Sequence, residues 1–201
     1  MASEVDICNL ALAHLGDEAT VSSIDPPEGS AQAEHCARFY PIARDTLLES
    51  HAWRFATRRE VLAELADEVP GWRFAYALPV DTVQILAVLG PDQSSEEGTQ
   101  AFDVEMGADG AGVILTNQPE ATVRYVARVT DSIRFSPMFI DALAWLLASY
   151  LAGPVLKGDA GAAMARACLQ SFMMAISGAR VSDANQRHVL TERTPGWIAG
   201  R

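Results

Sequence analysis

The sequence predicts an α+β fold: a helical bundle built from the N- and C-terminal segments, an inserted small antiparallel β-sheet and an extended C-terminal arm. Three observations predict it. Apolar residues recur at helical spacing up to about Glu49 and again from Ser136 onward. Between 61 and 130 they alternate with period two, with turn signals roughly every eight to twelve residues. From 181 onward neither period persists. The expected organisation is therefore 1–60 and 131–180 as two parts of one helical core, 61–130 as the β insert and 181–201 as a docking arm.

The first helix has Ser3 as its cap, Glu4 and Asp6 at its positive end, and Gly16 to close it. Val5, Cys8, Leu12 and Leu15 form its inward stripe. A polar loop at 21–30 leads to a second helix over 31–49, facing inward with Ala33, Cys36, Ala37, Tyr40, Ala43, Leu47 and Leu48. Pro41 lies inside that pattern and is expected to kink the helix or split it in two. Trp72, Phe74, Tyr76 and Leu78 then alternate with Arg73, Ala75 and Ala77, and Val83, Ile85, Ala87 and Leu89 continue the alternation. Phe102, Val104 and Met106 precede a glycine-rich turn at 107–112, and 113–116 follows it. A last strand over 122–130 puts Val123, Tyr125, Ala127 and Val129 on one face, Arg124 and Arg128 on the other.

Ser136 caps the next helix, with Pro137 at its first position. Phe139, Leu143, Leu146, Leu147, Tyr150 and Leu151 make it apolar around most of its circumference, so it is enclosed by its own chain or by a neighbouring subunit. Its most apolar part, 137–152, stops at Gly153-Pro154 and is too short to span a bilayer. Asp159 is the expected cap of the final helix, whose inward face is Ala165, Cys168, Leu169, Phe172 and Ile176. Alanine and glycine fill its first turns and permit close approach of another backbone.

Fifteen Lys and Arg stand against 26 Asp and Glu, for a net charge of −11. That excludes a broad grip on DNA phosphates and disfavours anionic membranes. Only Lys157 is lysine, so the positive charge is nearly all guanidinium, suited to fixed bidentate contacts. Cys8, Cys36 and Cys168 are too scattered for a disulfide framework and read as small buried hydrophobes in a reducing compartment. The start lacks the pattern of a signal peptide, and a soluble protein is expected.

No catalytic signature emerges. His14, His35, His51 and His188 form no metal-binding spacing, so no metal or cofactor is expected. The 107–112 turn leads into a strand and not a helix, which makes it a hairpin turn and not a phosphate cradle. Asp103, Glu105 and Asp109 do not match a calcium loop, and Glu96-Glu97 reads as solvated charge. No nucleophile has an identifiable base.

The densest constellation is residues 50–59, Ser-His-Ala-Trp-Arg-Phe-Ala-Thr-Arg-Arg. Trp53 and Phe55 pack in the core with the arginines exposed, or Arg54, Arg58 and Arg59 meet acidic groups on another subunit. The end of the chain reads either as a frayed terminus or as a docking arm. Trp197, flanked by Arg193 and Arg201, favours the arm, because Trp and Arg dominate interface energetics.

One family shows these segments in this order: Ile7-Cys-Asn-Leu-Ala-Leu-Ala-His-Leu-Gly, Tyr40-Pro-Ile-Ala-Arg-Asp-Thr-Leu-Leu, Trp53-Arg-Phe-Ala, Trp72-Arg-Phe-Ala-Tyr-Ala-Leu-Pro-Val-Asp, Ile114-Leu-Thr-Asn, Arg124-Tyr-Val, Phe139-Ile-Asp-Ala-Leu-Ala and Leu151-Ala-Gly-Pro. Over residues 3–180 the chain resembles the adaptor (tail tubular protein A, or head-to-tail connector) family of short-tailed bacteriophages. The resemblance implies a non-enzymatic virion protein, assembled in the host cytoplasm. It would form a ring of about twelve copies beneath the portal protein of the capsid. The ring would extend the DNA channel and seat the tail nozzle protein. The arm, with Arg193, Trp197 and Arg201, would insert between portal subunits. The insert sheet, with Arg124 and Arg128, would face neighbouring adaptors or the nozzle, as would Arg54, Arg58 and Arg59. An acidic channel wall would repel passing DNA and keep it from sticking. The rival expectation is a soluble small-molecule-binding or enzymatic α+β domain.

Overall fold

A computed structural model describes residues 2–18, 20–66, 69–91, 93 and 98–186. The fold is mixed, with four helices and two small antiparallel sheets among the described residues. Helix α1 (Glu4–His14) starts at Ser3 in a capping box with Asp6, and Gly16 follows it at φ 73°. Helix α2 (Ala31–Glu49) begins at Ser30, whose hydroxyl accepts from the Ala33 N–H at 3.1 Å. Pro41 does not split α2. It lies on the exposed side, and only the Ala37 carbonyl loses its usual helical donor there.

The single sheet expected from the alternation is two sheets. Strands β1 (Thr57–Val61), β7 (Thr122–Ala127) and β4 (Thr82–Leu89) form one, in the order β1-β7-β4. Strands β2 (Glu64–Leu65), β3 (Phe74–Ala77), β6 (Gly112–Thr116) and β5 (Phe102–Met106) form the other, in the order β2-β3-β6-β5. Tyr76 and Ile114 of the second sheet pack against Val88, Val123 and Tyr125 of the first. The first sheet's opposite face, with Val126, packs on the helices. Both its faces are therefore covered, which a one-faced alternation does not anticipate. In β4 the register slips between Thr82 and Gln84 and between Ile85 and Ala87. Consecutive Ala87, Val88 and Leu89 are all buried, as expected of a strand covered on both faces.

Ser136 caps helix α3 (Pro137–Leu156), its hydroxyl accepting from the Phe139 N–H at 3.2 Å. The expected stop at Gly153-Pro154 is passed: α3 continues to Leu156 and has 20 residues. By length and composition it is able to cross a membrane, contrary to the expectation for 137–152; in the fold it packs against α1, α2 and helix α4 (Gly158–Ala184). The chain turns between α3 and α4 at Lys157 and Gly158, both with φ 57°. Lys157 occupies the cap position of α4 without a side-chain cap bond, so Asp159 sits in the first turn and is not the cap. Cys168, Phe172 and Ile176 face inward as expected, whereas Leu169 is exposed. All three cysteines are free and buried. Helix α4 runs past residue 180, where the arm was expected to begin.

Candidate functional site

The 50–59 stretch separates into a core part and a surface part. Trp53 is fully buried and its indole N–H donates to the Leu47 carbonyl at 2.8 Å. Phe55 meets Phe135 and Phe139, and Phe139 also stands edge-on to Trp53 at 5.0 Å. The aromatic residues thus join the helical core to the start of β1.

Asp183 organises the other side of this turn. One carboxylate oxygen accepts from the Arg54 backbone N–H at 3.0 Å, and the other lies 3.3 Å from His51 Nε2. One turn earlier on α4, Arg180 donates to the Ser50 carbonyl at 2.8 Å. The end of α4 is thereby latched to residues more than a hundred positions earlier. Asp183 is only 6% exposed. Asp183→Ala would leave the Arg54 N–H without its acceptor, at a cost of about 2 kcal/mol. The expected result is a lower urea midpoint, partly restored in Asp183→Asn, which retains an acceptor oxygen. Equal midpoints for wild type and Asp183→Ala would exclude the latch.

The remaining predicted contact arginines have partners inside the chain. Arg58 pairs with Asp81. The Tyr125 hydroxyl reaches Asp81 at 3.0 Å and Glu60 at 3.1 Å. Burial, then these two carboxylates, leave the Tyr125 phenol pushed up to about 12. Arg128 pairs with Asp45 of α2 at 3.0 Å, and Arg44 holds the other Asp45 oxygen at 2.9 Å.

Arg59 stands opposite Arg124 across the β1–β7 ladder, and each makes a further interaction within the protein. Arg124 does not reach a surface. It is 6% exposed, on the strand face that carries Val126 toward the helices. Of the arginines expected at a subunit or nozzle contact, Arg124 thus offers little surface to a neighbour in the isolated chain. Arg58 and Arg128 remain about half exposed. Arg54 is half-buried, and its Nε lacks a hydrogen-bond partner. Arg193, Trp197 and Arg201 lie outside the described residues, as do His188 and Glu96-Glu97.

The sequence singled out no cleft, but the structure contains one of about 500 Å³ between the start of α1, the 21–30 loop and α2. Tyr40 and Arg44, one helical turn apart, line it with Glu4 and Asp25. The i, i+4 spacing was legible; that these side chains border a cavity depends on the loop folding over α2. His14 is stacked on Trp145 at 3.6 Å, and burial lowers its pKa. No group of three or more metal-binding side chains occurs among the described residues. Comparison with protein-family models and with curated proteins finds no match for this chain.

Proposed function

We propose that this chain is a ring-forming, non-enzymatic adaptor of a short-tailed bacteriophage virion, joining the capsid portal protein to the tail nozzle protein and extending the DNA channel. The ordered motifs over residues 3–180 favour this family. In this reading the helices from both ends of the chain form the bundle, the sheets are its insert and residues 187–201 are the arm. The observation that carries the assembly role is apolar surface on α4 that this chain leaves uncovered. Leu169, Met173, Met174 and Val181 are exposed, while Cys168, Phe172 and Ile176 occupy the buried face. A helix with apolar residues on two sides is suited to a neighbour on each. Val61, Val80 and Met106 add uncovered apolar side chains on the β insert. About twelve copies would bury such faces on closing a ring. Arg193, Trp197 and Arg201 would anchor the arm in the portal, and the net charge of −11 suits a channel that DNA passes without sticking.

Electron microscopy of the full chain mixed with portal rings of short-tailed bacteriophages tests this. The full chain is expected to decorate one face of each ring. Truncation after Gln186 retains the Asp183 latch, so the fold should survive while decoration is lost. Undecorated rings with the full chain would overturn the adaptor reading. Normal decoration by the truncated chain would overturn the role of the arm alone.

A further inference from the structure

Two helix faces that this chain leaves open are chemical opposites. On α4, Arg166, Leu169, Met173, Ser177 and Arg180 follow one another at spacings of three and four and so share a face. All five are exposed, Met173 at 59%. Leu169 and Met173 make the centre of this face apolar, and a guanidinium stands at each end, about 21 Å apart along the axis. Arg180 donates to the Ser50 carbonyl, which uses one of its five N–H donors. On α1, Asp6, Leu10 and Ala13 recur at the same spacing and are exposed. Asp17 and Glu18 follow the end of that helix. The α1 face is thus apolar at its centre and acidic at both ends.

The wider charge is divided in the same way. Residues 1–50 contain nine Asp and Glu against two Arg. Residues 157–186 contain Lys157, Arg166 and Arg180 against Asp159 and Asp183. Asp183 is buried on the Arg54 N–H, so α4 is net positive outward while the α1–α2 half is strongly negative. The two faces do not cover each other within one copy: α1 and α4 each pack on α3, and both faces stay exposed. What complements either face is found on another copy of the same chain.

We infer that α4 of one copy docks on α1 of the next. Leu169 and Met173 of the first copy bury against Leu10 and Ala13 of the second. Arg166 and Arg180 reach Asp6 at one end and Asp17 with Glu18 at the other. Because the two faces differ, a copy held by its α1 still offers its own α4, and the contact continues head to tail. Pairing α4 with α4 would set guanidinium against guanidinium, and pairing α1 with α1 would set carboxylate against carboxylate. The inference deepens the ring-forming reading above and rests on it for taking the neighbour to be a second copy.

Cysteine cross-linking of the full chain, without portal, tests the contact. Cys8, Cys36 and Cys168 are buried, so engineered surface thiols react alone. Met173→Cys and Leu10→Cys, both at exposed positions, are made singly and together. They are treated with a short bismaleimide at about 1 mM chain, enough to populate even a millimolar contact. Neither single variant alone should give a dimer, whereas their mixture should. The double variant should give a ladder of dimers, trimers and longer products. Raising salt to about 1 M, where charges are screened within about 3 Å, should cut the yield at least threefold, as should Arg166→Glu at low salt. Val80→Cys mixed with Met173→Cys sets the level of random collision, since Val80 is fully exposed and belongs to neither face.

Products no more abundant than that level would overturn the proposal. So would a dimer from Met173→Cys alone, a double variant that stops at the dimer, or a yield indifferent to salt. A ladder together with undecorated portal rings would overturn the adaptor reading and leave this contact standing. Decorated rings without a ladder would overturn this contact alone.

Discussion

Trp53→Ala is expected to lower stability by about 4–5 kcal/mol, the upper range for a buried aromatic residue. Two losses combine. The side chain is fully buried between His51 and Phe139, with ring centroids at 4.8 and 5.0 Å, so truncation opens a cavity that the backbone of α2 and α3 cannot close. The Leu47 carbonyl also loses the indole N–H that it accepts at 2.8 Å. Single domains have about 5–15 kcal/mol in all, so this substitution removes a large share. The melting temperature should fall by roughly 8–20 °C. Trp53→Phe keeps most of the volume and gives up the hydrogen bond, for a smaller loss. Arg54→Ala is the contrasting case one position on: its guanidinium Nε is buried without a partner, and removing it costs the fold little. A Trp53→Ala protein with a wild-type melting curve would mean that the aromatic cluster does not hold the helices to β1.

That contrast shows where the sequence was readable. Trp53 and Phe55 lie in the turn after α2, and the core placement, one of the two readings the sequence offered, rests on their local aromatic character. The caps at Ser3 and Ser136 were legible for the same reason, since a cap involves residues three apart. Strand β1 was hidden because Arg58, Arg59 and Glu60 read as a charged surface segment; as an edge strand, β1 tolerates that charge. The burial of Arg124 depends on the helices covering the second face of its sheet, which period-two alternation does not encode. Asp183 looked like part of a polar tail because its partners lie 129 and 132 positions away. Tyr40 was correctly placed inward, but that its hydroxyl has no partner is a property of the assembled fold and has no signature in a string of residues. Short-range signals therefore carried the helices, and tertiary contacts decided the sheets and the candidate sites.

Gly161→Leu is expected to destabilise the protein by about 3 kcal/mol, and Gly161→Ala by about 1–2 kcal/mol. Helix propensity alone predicts the opposite for alanine, a gain of about 1 kcal/mol. Sterics decide the sign. A Cβ built on Gly161 would stand 2.8 Å from the Ala152 carbonyl oxygen and 3.3 Å from the Gly153 Cα, both backbone atoms of α3. Neither atom can swing aside as a side-chain tip would, so α3 and α4 must separate along a tightly packed crossing. Gly178, farther along α4, supplies the control: a Cβ there meets only the flexible Met138 side-chain tip, at 3.0 Å. Gly178→Ala should therefore realise the propensity gain, because the Met138 tip can move aside, and raise the urea midpoint, while Gly161→Ala lowers it. The two substitutions are chemically identical and lie in the same helix, so opposite signs isolate the close approach as the cause. The same sign for both would place the helix crossing elsewhere and remove the reason for glycine at 161.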